Sequence, residues 1–113
     1  MIKPAQYDVV EMLQPVLGAN LPAGSQGTIV HQYDEEEFEI EFVDEWGETV
    51  TLVRLNRQHF LVIWRAEGEE SVSVADQVAQ LVDRLPENAG TQILNFAHYL
   101  SWRTQGLPQT HPV

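Results

Sequence analysis

No cysteine occurs in the 113 residues, so disulfides, thiolate metal centres and thiol nucleophiles are excluded. Lysine is almost missing: Lys3 is the only one, and five arginines complete a set of 6 cations against 17 acids. The net charge of −11 repels phosphate backbones and anionic lipid, which argues against nucleic-acid and membrane partners and for a basic protein one. Long hydrophobic runs are absent as well, and none approaches the ~20 residues that span a bilayer. The opening Met1-Ile2-Lys3-Pro4-Ala5-Gln6 lacks the apolar stretch of a secretion signal, so a cytoplasmic protein is expected.

Catalytic vocabulary is equally sparse. No nucleophile elbow or glycine-rich phosphate loop surrounds Ser25, His31 and Asp34, the one serine–histidine–aspartate set that lies close in sequence. His31, His59, His98 and His111 are scattered, without the close spacing that zinc sites use. Neither catalytic nor metal-ligating residues are assigned, and no cofactor is expected. A small hydrolase or metalloenzyme would need a cleft where histidines and carboxylates converge.

What is present divides by periodicity. From Tyr7 to Trp64 apolar residues recur mostly every second position, which predicts strands. In Glu37-Phe38-Glu39-Ile40-Glu41-Phe42 the aromatic and aliphatic side chains take one face and the carboxylates the other. Tyr7–Leu13, Gly27–Tyr33, Thr49–Leu55 and Leu61–Trp64 read as the other strands, with one 3₁₀ turn over Asn56–His59. Gly24-Ser25-Gln26-Gly27 reads as a tight turn into the second strand, and Gly47 supplies a positive φ in the Asp44–Glu48 hairpin. Five strands, a long loop after the first and a 3₁₀ turn before the last are the layout of an SH3-like barrel.

From Val74 the period becomes helical. Ser73, three residues before Asp76, is placed to cap a helix whose stripe is Val74, Val78, Leu81, Val82 and Leu85. A second helix runs roughly from Pro86 to Gln105, stopped by Gly106 and Pro108 and ordered from about Thr91, because Gly90 weakens its first turns. The expected organisation is α+β: a five-stranded SH3-like barrel over residues 1–65, an acidic linker over 66–73, a helical hairpin over 74–106 and a flexible tail over 107–113.

Two surfaces stand out. Nine of the acids fall between Asp34 and Glu48, an interval without a single lysine or arginine. Glu35, Glu36, Glu37, Glu39, Glu41, Asp44 and Glu45, with Trp46 in a turn as an anchor, form a candidate docking face for a basic partner. The plainer reading makes them the solvated face of a hairpin whose charges discourage edge-to-edge association. Ile93, Phe96, Tyr99, Leu100 and Trp102 form a second candidate face, for an apolar groove on a partner or for a homodimer through the C-terminal helices.

Tyr7-Asp8-Val9-Val10, Gly27-Thr28-Ile29-Val30, Phe38 through Thr49 and Thr51-Leu52-Val53-Arg54-Leu55 together resemble a bacterial family of small barrel domains of unknown function, over residues 5 to about 64. That resemblance implies an acidic, non-catalytic domain, and the toxin-like genes beside some members imply a neutralising or immunity role. Leu85-Pro86-Glu87 with Ile93-Leu94-Asn95-Phe96-Ala97-His98-Tyr99-Leu100 is similar to a short helical family associated with bacterial antitoxins. The reading is a non-catalytic, antitoxin-like protein-binding module, with a structural homo-oligomer or accessory subunit as the alternative.

Overall fold

The computed structural model describes residues 2–106 and 108, so the segment expected as a flexible tail, His111 included, lies outside the described residues apart from Pro108. The chain forms one compact unit up to Leu81 and a second from Val82.

The first unit is an antiparallel sheet with the strand order β4-β3-β2-β1-β5-β6, where β1 is Val9–Met12, β2 Gln26–Gln32, β3 Glu37–Val43, β4 Thr49–Asn56, β5 Phe60–Arg65 and β6 Glu70–Ser71. A 3₁₀ turn, Arg57–His59, joins β4 to β5, with the Asn56 side chain accepting from Gln58 N. The α+β class is as expected, but the sheet has six strands rather than five. The sixth arises inside the segment read as a linker, where Gly68 at φ +85° and Glu69 at φ +48° reverse the chain so that Ser71 and Glu70 pair with Trp64 and Arg65. The sheet is open, with β4 and β6 at its edges, so closure into a barrel is not part of the observed hydrogen bonding.

The sheet is nevertheless strongly coiled. Phe38 on β3 and Phe60 on β5 are three strands apart, about 14 Å in a flat sheet, yet their rings meet edge to face at 5.7 Å. One concave face therefore gathers the core: Val10, Met12, Ile29, Phe38, Ile40, Phe42, Phe60 and Val62, with Val16 and Val72 at its margins. Strand β3 alternates as the sequence requires, with Phe38, Ile40 and Phe42 buried. Gly27 does more than turn the chain. A Cβ there would sit 2.7 Å from Ile40 Cγ2 and 2.9 Å from Phe42 Cε1, so only glycine lets β2 cross the core at that point.

Bulges supply the bend. Val30, Val50 and Ile63 are each one residue extra against the neighbouring strand. The carbonyl freed at Val30 accepts from Gln6 Nε2 at 2.9 Å. Strand β1 begins two residues later than expected because Tyr7 lies in the left-handed region, at φ +75°, its N–H donating to Ile29 O.

Helix α1, Val74–Val82, starts where predicted, with Ser73 Oγ accepting from Asp76 N at 3.1 Å. Its apolar stripe is not what it buries: Val74 and Val78 are exposed, and the buried side chain is Gln80. In the second unit, α2 spans Glu87–Gln105. It starts at Glu87 rather than near Thr91: Ala89 N and Gly90 N already donate to Pro86 O, both at 3.0 Å, and Val82 Cγ1 lies 3.8 Å from where a Gly90 Cβ would be. No described helix is long and apolar enough to cross a membrane.

Candidate functional site

The outward face of β2, β3 and β4 carries the carboxylates that alternate with the core residues of β3. In the register, Glu39 lies between His31 and Arg54, and Glu41 lies between Thr28 and Leu52. Each carboxylate has found a partner. Arg54 Nε is 3.5 Å from Glu37 Oε1, Tyr33 OH donates to Glu39 Oε2 at 2.5 Å, and Thr49 Oγ1 donates to Glu41 Oε2 at 2.9 Å. The Arg54 guanidinium lies 4.3 Å over the Tyr33 ring, and His31 meets that ring edge-on at 4.7 Å. The hydrogen bond to Glu39 holds the Tyr33 hydroxyl above the usual tyrosine value, reinforced by desolvation and the Glu39 charge and opposed by Arg54. Glu37, Glu39 and Glu41 are half-buried rather than a ladder standing free in water.

Two more acids of the strip shape turns. Asp34 Oδ1 accepts from Glu36 N and Glu37 N, both at 2.8 Å, and these bonds hold its carboxyl below the usual aspartate range. Asp44 Oδ1 accepts from Trp46 N and Glu48 N, both at 2.9 Å. What remains exposed and unengaged is Glu35 and Glu36 at one hairpin tip, and Glu45, Trp46 and Glu48 at the other. The tips stand at opposite ends of β3, about 20 Å apart for seven residues, so the strip is two clusters and not one patch.

The clusters differ in their surroundings. Glu35 shares a depression of about 210 Å³ with Lys3, Pro4, Gln32 and Arg57, so two cations offset that tip. The Trp46 tip has no cation in its turn. Trp46 itself is 78% exposed, with Val43 and Val50 half exposed on the flanking strands.

On α2, Phe96, Tyr99, Leu100 and Trp102 are exposed and Ile93 half-buried, and the Phe96 and Tyr99 rings stack at 6.3 Å. The serine–histidine–aspartate set does not assemble: Ser25 Oγ donates to Pro22 O at 2.7 Å, and Asp34 is committed to its turn. Among the described residues no three of His, Asp and Glu converge to hold a metal ion.

Two buried polar groups were not legible as special in the sequence. Asp8, 1% exposed, accepts from Ala5 N and Ala66 N, both at 3.0 Å, and ties the N-terminal arm to the end of β5. Gln80 accepts from Val62 N and donates to Val62 O, both at 2.9 Å, so a helix side chain completes the β5 edge beyond the reach of β6. The nearest signal for Gln80 is that it lies off the apolar stripe of α1, a position that carries no pattern of its own.

No curated protein and no solved structure matches the chain. A family model described as Domain of unknown function (DUF4926) matches residues 6–62. That span covers β1 through the first half of β5, including Asp8, Gly27, the outer face of β3 and the Trp46 turn, and amounts to half of the chain. The chain therefore belongs to the family Domain of unknown function (DUF4926).

Proposed function

We propose that this protein is a non-catalytic binding module that docks its Trp46 hairpin on a basic protein surface. The observation that carries the reading is the 78% exposure of Trp46 on a turn whose backbone is pinned by Asp44. A large amphipathic ring held on a rigid turn loses little entropy on binding and is a typical hot-spot anchor. Glu45 and Glu48 beside it add the charge that speeds encounter with a basic partner. An antitoxin or immunity-like role follows from the resemblances of the barrel segment and of the helical tail. The barrel reading itself draws support from the coiled sheet and from the 3₁₀ turn between β4 and β5.

The test is co-purification from the native host with the full chain as bait, alongside Trp46→Ala and the pair Glu45→Lys with Glu48→Lys. A specific partner should be recovered with the native chain, released by salt and lost with either variant. Recovery that ignores both variants would refute the assignment to this hairpin.

A second reading, assembly through the C-terminal helices, is favoured by the exposure of Phe96, Tyr99, Leu100 and Trp102 on α2. Sedimentation of Leu100→Glu separates the two, since that change should break a helix-built oligomer and leave the hairpin untouched.

A further inference from the structure

The two edges of the sheet are treated differently. At one edge, β6 is only Glu70–Ser71, and beyond it the Val62 N–H and C=O of β5 are taken by the Gln80 amide, both at 2.9 Å. At the other edge, β4 runs for eight residues, Thr49-Val50-Thr51-Leu52-Val53-Arg54-Leu55-Asn56, and among the described residues pairs with β3 alone. Natural edge strands are blunted by lysine, proline, shortness or inward charge. Strand β4 has no lysine, no proline and five Thr, Val and Leu residues in its first five positions. Its one blunting device is the bulge at Val50, which leaves Thr51–Asn56 regular. Leu52 faces outward, 53% exposed. Along the inner side of the strand runs a groove of about 220 Å³, lined by Met12, Pro15, Val16, Leu17, Val53 and Leu55, where Leu17 is 93% exposed.

Charge along the edge indicates what covers it. Asp44, Glu45 and Glu48 stand at the N-terminal end of β4, whereas Arg54 and Arg57, two of the six cations in the chain, stand at the C-terminal end. Such a strand is self-complementary when reversed against itself: the acidic end of one copy meets the basic end of the other. We infer that β4 is a homodimer interface, two copies pairing edge to edge and antiparallel about a two-fold axis, so that the sheet runs on through both. A two-fold normal to the sheet opposes each residue to one of the same facing. The bulged Val50 is the extra residue, so opposing Val53 to itself places Thr49 against Asn56 and Glu48 against Arg57 of the second copy, and opposing Leu52 to itself places Thr49 against Arg54 and Glu48 against Leu55. The Val53 register sets Glu48 directly opposite Arg57, and the Leu52 register leaves the acid and base positions two residues apart. Opposing Arg54 to itself sets like charges face to face and is excluded. The pairing uses Glu48 alone among the free acids and leaves Glu35, Glu36, Glu45 and Trp46 open, so it does not rest on the binding role proposed above.

Sedimentation equilibrium of the full chain over a wide concentration range tests this, together with hydrogen exchange of the β4 amides. The expected result is a monomer–dimer equilibrium in which the β4 amides not bonded to β3 become protected as dimer forms. Leu52→Lys should weaken the dimer roughly tenfold or more without changing the melting temperature of the dilute monomer. Glu48→Arg and Arg57→Glu should each weaken it, and their combination should restore it. A chain that stays monomeric at every concentration would overturn the inference. So would a dimer indifferent to Leu52→Lys but abolished by Leu100→Glu, which would put the interface on α2. Slow exchange in the monomer of those β4 amides that do not bond β3 would overturn it too, because another part of the same chain would then cover the edge.

Discussion

Replacing Gln80 is the sharpest test of how this fold terminates its sheet. Val62 is fully buried, and its N–H and C=O are both satisfied by one side-chain amide. Gln80→Ala removes both partners at once. A buried backbone group left without a partner costs about 1–3 kcal/mol, so two cost about 2–6 kcal/mol before water enters the gap. Some water will reach an edge position, which brings the expected loss to about 2–4 kcal/mol. A unit of this size has about 4–12 kcal/mol in total, so the midpoint of urea unfolding should fall by a large fraction. The informative partner is Gln80→Glu. At neutral pH its carboxylate accepts from Val62 N but faces Val62 O with a second acceptor, and it is as destabilised as the alanine variant or more so. Once protonated, the same carboxyl donates to Val62 O and reproduces the native pair. Burial and that hydrogen bond raise its folded pKa above the unfolded value of about 4.3. The restored stability is therefore fully present below the unfolded pKa and is lost as pH rises through the folded one. Urea titrations of the native chain and both variants, at neutral and mildly acidic pH, give the answer. A loss under about 0.5 kcal/mol for Gln80→Ala, or a Gln80→Glu variant that gains nothing relative to the native chain on acidification, would refute the account of the β5 edge.

Three further outcomes are expected. Gly27→Ala drives a methyl to within 3 Å of Ile40 Cγ2 and Phe42 Cε1 and should cost about 1–3 kcal/mol in chemical denaturation. Asp8→Ala strips the acceptor from Ala5 N and Ala66 N and should cost about 3 kcal/mol, with Asp8→Asn recovering only part because it turns a donor toward one of the two N–H groups. Absorbance titration of the tyrosinates should find one late component that disappears in Tyr33→Phe and moves to lower pH in Glu39→Gln, since Glu39 is the leading cause of the upward shift. The folded pKa of Tyr33 exceeds the unfolded one, so its contribution to stability is present below the unfolded value, near 10, and is lost as pH rises through the folded value.

The parts legible in the sequence are those dictated by periodicity and by local backbone chemistry. Phe38, Ile40 and Phe42 alternate with glutamates, and no other arrangement buries three such side chains on one strand. Ser73 caps α1 because its hydroxyl reaches the Asp76 N–H, a contact fixed within four residues. Illegible were features set by distant partners. A two-residue polar strand, Glu70–Ser71, has no pattern long enough to detect and forms because β5 offers an edge. Gly27 looks like turn chemistry, while its real constraint is Ile40 and Phe42 thirteen and fifteen residues on. Alternation gives each strand its buried face, but closure into a barrel would require β4 to pair with the other end of the sheet, and no pairing there is encoded by alternation.

The acidic strip shows why composition overstates a functional surface. Its carboxylates are not interchangeable: Asp34 and Asp44 fold two turns, and Glu37, Glu39 and Glu41 each hold a neighbour on the sheet face. Four acids remain for any partner, two of them beside Lys3 and Arg57 and two beside Trp46. A partner drawn only by net charge would find all acidic faces of the molecule equivalent. A partner that requires an aromatic anchor, an uncompensated pair of carboxylates and a turn fixed by Asp44 finds them together only at the β3–β4 hairpin. Position, rather than the −11 total, is therefore what distinguishes the docking site we propose.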